Sequence, residues 1–239
     1  MKVKGGCMMI KSTSVKSRRF SLASVFIAVF LLFGYMATGI AQENMVDTDA
    51  LTKETMKNSQ EADEITLVWW IPEEYWGAIF AQDEEFMKVL RPYTIIVVAN
   101  GKMDVFGRIA YESEATIQAG IKVKDSEGTR YLPISEDAID ADTKNLLSML
   151  EPTFVNMLGP TGQNTHFFLF PAKNEKGQKI AEAKKEGTFS VELNEREFSW
   201  RLPLSSLLPP KICPTCGEKL SGAYKFCPWD GSKLPETKK

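Results

Sequence analysis

Histidine is almost missing from this 239-residue chain, where His166 is the only one. A histidine-rich metal centre is therefore excluded, and no serine triad with a histidine base is expected. His166 itself stands beside Phe167 and Phe168 in a strand-like pattern and reads as a strand residue rather than a proton carrier. Cysteine is scarce as well. Of Cys7, Cys213, Cys216 and Cys227, the last three fall within fifteen residues of the tail. No framework of paired disulfides is therefore spread over the fold. Basic charge is in short supply beyond the N-terminus. The first 41 residues hold six Lys and Arg and no Asp or Glu, leaving 23 basic against 31 acidic residues, a net charge of −8, for the remainder. An acidic surface does not displace counterions from phosphates, so no nucleic-acid partner is expected. A glycine-rich phosphate loop is also missing, and helices and strands do not alternate as a parallel nucleotide-binding sheet requires.

What the chain does have begins with a basic stretch ending in Lys16, Arg18 and Arg19. An apolar run from Phe20 to Ala37 follows. Gly39-Ile40-Ala41 then offers small residues at the two positions a signal peptidase reads. Residues 1–41 are expected to form a signal peptide. A signal anchor is the alternative, because 20–41 is close to the ~20 residues that span a bilayer. The body is thus expected to be exported, periplasmic or extracellular, or else held at the inner membrane outside the cytoplasm. The membrane is a partner only if the N-terminal segment is uncleaved.

Residues 42–63 are polar and acidic and read as a flexible segment or a loosely formed helix. Residues 64–203 read as a β-rich central domain. Ile65–Ile71, Thr94–Ala99, Thr165–Phe170, Gly187–Leu193 and Glu197–Leu202 carry strand patterns, the last two as a hairpin across Asn194-Glu195. Thr116–Lys124 alternates and reads as the first arm of a hairpin turning at Asp125–Gly128, and Asn100-Gly101 reads as a tight turn. Glu73–Leu90 and Ala138–Leu158 have helical spacing, the second as one helix or as two short ones broken near Pro152. The expected class is α+β, mainly antiparallel and sandwich-like, with one or two helices. Residues 204–211, with Pro209-Pro210, read as a linker holding the tail off the body.

The tail, residues 212–235, contains a repeat. Cys213-Pro214-Thr215-Cys216-Gly217-Glu218-Lys219-Leu220 recurs as Cys227-Pro228-Trp229-Asp230-Gly231-Ser232-Lys233-Leu234, with five of eight positions identical and Asp230 in place of the second cysteine. Two residues between ligands suit a tight turn whose backbone amides point at bound sulfur. A following glycine permits positive φ. Ten residues separate Cys216 from Cys227, enough for a hairpin that brings both turns around one ion. The tail resembles the short double-knuckle zinc ribbons found at the ends of many bacterial proteins. In that family both knuckles read Cys-Pro-x-Cys-Gly and an aromatic, here Phe226, precedes the second. The resemblance implies Cys213, Cys216, Cys227 and Asp230 as ligands of one structural Zn²⁺. For Asp230, direct ligation, action through water and a metal-free site all stay open. A catalytic zinc is disfavoured, since four ligands leave no position for substrate.

Other candidates have plainer explanations. Asp137, Asp140, Asp142 and Asn145 lack the glycine and terminal glutamate of a calcium loop and read as a helix start. Glu73 and Glu74 are adjacent, so they rarely face one cleft. Trp69, Trp70, Tyr75 and Trp76 read as core. No residue carries an enzyme signature. The functional expectation is a binding or scaffolding protein that meets a protein partner through its ribbon. The alternatives are a cell-envelope enzyme using carboxylates of the central domain and a membrane-anchored accessory subunit.

Overall fold

A computed structural model describes residues 46–61, 63–80 and 83–236. The export segment expected at 1–41 lies outside them. Among the described residues, no helix is long and apolar enough to cross a membrane.

The first described element is helix α1, Thr48–Thr55, started by the Asp47 side chain, which accepts the Ala50 N–H. It buries Leu51 completely and runs straight into strand β1, Met56–Glu61. β1 pairs antiparallel with β2, Glu64–Ile71, from Met56 opposite Trp69 to Glu61 opposite Glu64. The segment expected to be flexible is thus largely ordered from Thr48 onward. Its polarity concealed that Leu51 and Thr55 are enough to bury one face of the helix, and that an edge strand needs only one apolar face.

β2 is buried at six successive positions, Thr66–Ile71. Alternate side chains of a strand point to opposite faces, so this run implies cover on both sides. Trp69 packs against Tyr75 and Phe154 of the helical layer, at ring distances of 5.4 and 5.3 Å. Trp70 packs against Phe189 and Trp200 of a second sheet, at 4.8 and 5.8 Å. The helices involved are α2, Glu73–Phe80; α3, Glu84–Leu90, started by Asp83; and the later α5, Ala141–Leu158. The single helix expected over 73–90 is therefore two.

β3, Tyr93–Met103, lies at the centre of the first sheet. It pairs with β2 along most of its length, with β7, His166–Pro171, at its start, and with β4, Ile109–Tyr111, at its end. Asn100-Gly101 is not a turn. Both residues sit within β3, opposite Thr66 and Ile65. Gly101 is required there because a Cβ would meet Ala110 O and Ile109 Cγ2 at 2.9 Å. The actual turn falls at Asp104–Arg108, where the Asp104 carboxylate accepts the backbone N–H groups of Phe106 and Arg108.

Residues 116–124 also differ from expectation. Ser113 accepts the Thr116 N–H and starts helix α4, Glu114–Gly120, which passes directly into β5, Ile121–Lys124. A cap outweighs an alternating pattern of four apolar residues, and Ala119 is exposed. β5 still turns at Asp125–Gly128 and pairs with β6, Arg130–Tyr131. The second sheet has the order β6-β5-β8-β9, with β8, Gly187–Leu193, and β9, Arg196–Leu202, joined across Asn194 at φ 53°. Helix α5, Ala141–Leu158, is unbroken at Pro152, which is solvent-exposed. The fold is α+β with two large antiparallel sheets and a two-stranded one in the tail, and the described residues carry five α-helices rather than one or two.

The expected linker is not free either. Leu204 is fully buried and donates its N–H to Ala183 O at 2.8 Å. Ser205–Leu207 forms a 3₁₀ turn whose N–H groups are gripped by Glu54. Leu208 then lies against Gly222 of the tail, where a Cβ would come within 2.6 Å of Leu208 Cβ. Two prolines stop a helix, but they do not prevent packing.

Candidate metal centre

The tail is a miniature of two similar turns. A two-residue ladder, β10 Lys211–Ile212 with β11 Lys219–Leu220, frames the first, and a bridge between Phe226 and Lys233 frames the second. In the first turn Cys213 N–H reaches Glu218 O at 2.9 Å, and Gly217 N–H reaches Cys213 O at 3.0 Å. In the second, Cys227 N–H reaches Ser232 O at 2.8 Å, and Gly231 N–H reaches Cys227 O at 3.0 Å. The repeat in sequence is thus a repeat in hydrogen bonding. Gly217 and Gly231 adopt φ of 74° and 73°, a conformation in which most side chains are strained. Only Cys213, Leu220, Cys227 and Leu234 form the buried centre of this unit.

Cys213, Cys216, Cys227 and Asp230 come together so that their ligand atoms all lie within 4.8 Å of one another. Cys216 Sγ is 3.8 Å from Cys227 Sγ. The Cys213 thiol donates to Asp230 Oδ2 at 3.3 Å. Such a group can hold a metal ion. It also sets ionisable groups against one another. Although the Glu218 backbone N–H favours its thiolate, desolvation and the adjacent Asp230, Cys213 and Cys227 push the Cys216 thiol up to about 12. Cys213 goes the other way, lowered chiefly by the Cys216 backbone N–H. Asp230 is held below the usual carboxylate range by the Ser232 side chain and backbone. A cation among these four groups favours their ionised forms together.

Ser232 was not singled out by the sequence pattern. Its N–H fixes Asp230 Oδ1 at 2.8 Å, and its hydroxyl meets Thr215 Oγ1 at 2.7 Å, tying one turn to the other. The only available signal was that Ser232 replaces Glu218 of the first repeat.

The remaining candidates lie elsewhere. His166 is half-buried in β7, opposite Val98. Asp140 caps α5, accepting the Thr143 N–H at 2.8 Å and hydroxyl at 2.7 Å, and these bonds bring it down to about 2. Trp69, Trp70, Tyr75 and Trp76 are core residues. Glu73 and Glu74 border a cleft shared with Arg91 and Lys179. Glu73 pairs with Lys179 at 2.6 Å and with Arg91 at 3.5 Å, and Glu74 with Lys184 at 3.8 Å.

Compared with known proteins, the chain matches no protein-family model, no curated protein and no solved structure.

Proposed function

We propose that Cys213, Cys216, Cys227 and Asp230 hold one structural zinc ion that folds the C-terminal ribbon, and that the ribbon serves as a protein-contact module on an exported or membrane-anchored scaffold. The spacing of the four groups carries this reading. Tetrahedral bonds of about 2.3 Å to sulfur place neighbouring sulfurs about 3.8 Å apart, and sulfur about 3.6 Å from a ligating carboxylate oxygen. The Cys216–Cys227 distance is 3.8 Å, and Cys213 lies 3.3 and 3.8 Å from the two Asp230 oxygens. Three thiolates select a soft or borderline ion over magnesium or calcium. Four protein ligands leave no site for substrate, so the role is structural. Zinc supplies most of the folding free energy of a unit whose buried centre is four residues.

The contact role rests on exposed apolar side chains. Trp229 is 76% exposed, Phe226 60% and Tyr224 48%, with Ile212 beside β11 at 54%. Aromatic residues of this kind supply most of the binding energy at protein interfaces. The export signal at 1–41 and the acidic body favour a partner in the cell envelope rather than nucleic acid.

The test separates the two parts. A chain carrying Tyr224→Ala, Phe226→Ala and Trp229→Ala is expected to keep its zinc and lose partner cross-linking in cells. A chain ending at Pro210 is expected to keep the unfolding midpoint of the body and lose both. The cut belongs after Pro210 because Leu204 is part of the core. Full cross-linking by the triple variant would remove the contact role.

A further inference from the structure

We propose that Cys216 is a peroxide-reactive modification site whose oxidation links it to Cys227 across the two knuckles and releases the metal, leaving Cys213 as the ribbon's one remaining thiol. This rests on the zinc reading above and concerns how that site is regulated.

Exposure selects the first cysteine to react. Cys213 and Cys227 are 1% and 2% exposed, whereas Cys216 is open to solvent. A hydroperoxide approaching from water meets Cys216 first. Ionised as a ligand of the proposed zinc site, the Cys216 thiolate attacks one peroxide oxygen, giving a sulfenic acid and releasing hydroxide when the oxidant is hydrogen peroxide.

Geometry selects the cysteine that resolves it. Cys227 Sγ is 3.8 Å away, so the pair closes by about 1.8 Å to reach disulfide length. Cys213 is otherwise engaged, donating to Asp230 at 3.3 Å and accepting from the backbone N–H groups of Cys216 and Thr215. The Cys227 thiolate attacks the Cys216 sulfur, the S–S bond forms, and a second hydroxide leaves. Two thiolates lose one electron each, and one peroxide is reduced.

The consequence follows from Asp230. With cysteine at that position the second knuckle could form a disulfide of its own, and four thiols could pair off completely. Here the count is odd. One thiolate and one carboxylate remain, too few to close a tetrahedral site. The new bond joins residues from opposite knuckles, so it replaces the ion as the connection between them. The ribbon stays stapled while Cys213 becomes available to a second thiol.

The experiment uses the full purified chain with hydrogen peroxide in stepwise amounts, reading released zinc with a chromogenic chelator and linkage by peptide mass spectrometry. The expected result is one zinc freed per disulfide and a protein about 2 Da lighter. The tryptic peptides 212–219 and 226–233 should be joined through Cys216 and Cys227, with iodoacetamide adding, among the three ribbon cysteines, only to Cys213. In a Cys227→Ser chain, a dimedone adduct on Cys216 is expected in place of the link. A Cys213–Cys216 bond within one peptide, or thiols that persist in excess peroxide, would overturn the proposal. A chain that contains no zinc as purified contradicts the zinc reading instead, and the peptide linkage in that same sample still decides the pairing.

Discussion

The Glu54 carboxylate reaches across 151 residues of sequence to accept the Ser205 backbone N–H at 2.7 Å and the Ser205 hydroxyl at 2.8 Å, tying the first helix to the segment that leads into the ribbon. Its other oxygen accepts the Ser206 N–H at 2.8 Å. These bonds are charge-assisted and only partly buried. Glu54→Gln is therefore expected to lower stability by about 1 kcal/mol after allowance for solvent screening, read as a shift in the urea midpoint. Burial raises the Glu54 pKa, but the bonds from Ser206 and Ser205 outweigh it and leave the group below its ordinary value. A lowered folded-state value stabilises the fold above the unfolded pKa, and the benefit disappears as pH falls through the folded one. The gap between wild type and Glu54→Gln should accordingly be full at neutral pH and close below about pH 4. A gap that widens in acid would contradict the sign.

Trp70 and Trp229 are a controlled pair, one joining two sheets and the other exposed on the ribbon. Trp70→Ala is expected to cost about 3–5 kcal/mol in urea unfolding. Trp229→Ala should stay within about 0.5 kcal/mol of wild type and leave zinc binding unchanged. Similar costs for both would mean that the sheet contact has been misassigned.

Asn100 is buried and sits at a junction. Its carboxamide oxygen accepts from Thr66 at 2.6 Å and from Arg196 at 2.8 Å, while its Nδ2 donates to Glu112 at 2.8 Å. Asn100→Ala removes three hydrogen bonds at once and is expected to cost about 2–3 kcal/mol, measured by thermal or urea unfolding. A neutral effect would mean that water replaces the carboxamide.

Ser232 fixes Asp230, the carboxylate of the proposed zinc site. Ser232→Ala removes the hydroxyl that meets Thr215 and leaves the backbone N–H to Asp230 in place. Zinc affinity, measured by competition with a chelator, is expected to drop about tenfold, with Ser232→Thr restoring most of it. An unchanged affinity in Ser232→Ala would remove Ser232 from the site.

Strands 65–71, 165–170, 187–193 and 197–202 could be read from sequence because β-branched and aromatic runs ended at clear stops. The cluster of Cys213, Cys216, Cys227 and Asp230 could be read because its repeat preserves both knuckles. Other elements were hidden for physical reasons. Asn100-Gly101 has turn composition, yet its carboxamide is spent on a tertiary network with Arg196, which lies 96 residues away. Helix α1 is held by Leu51 and by Thr55, which accepts the Trp69 indole N–H at 3.1 Å. No local pattern announces those contacts. The helix at 114–120 was masked by apolar alternation, although the Ser113 cap preceding it was a usable signal.

Metal analysis of the purified full chain beside its Cys213→Ser variant tests the zinc ribbon most directly. The expected result is one zinc ion per wild-type chain and none in the variant. A wild-type chain free of metal, or a variant that retains a full equivalent, would contradict it.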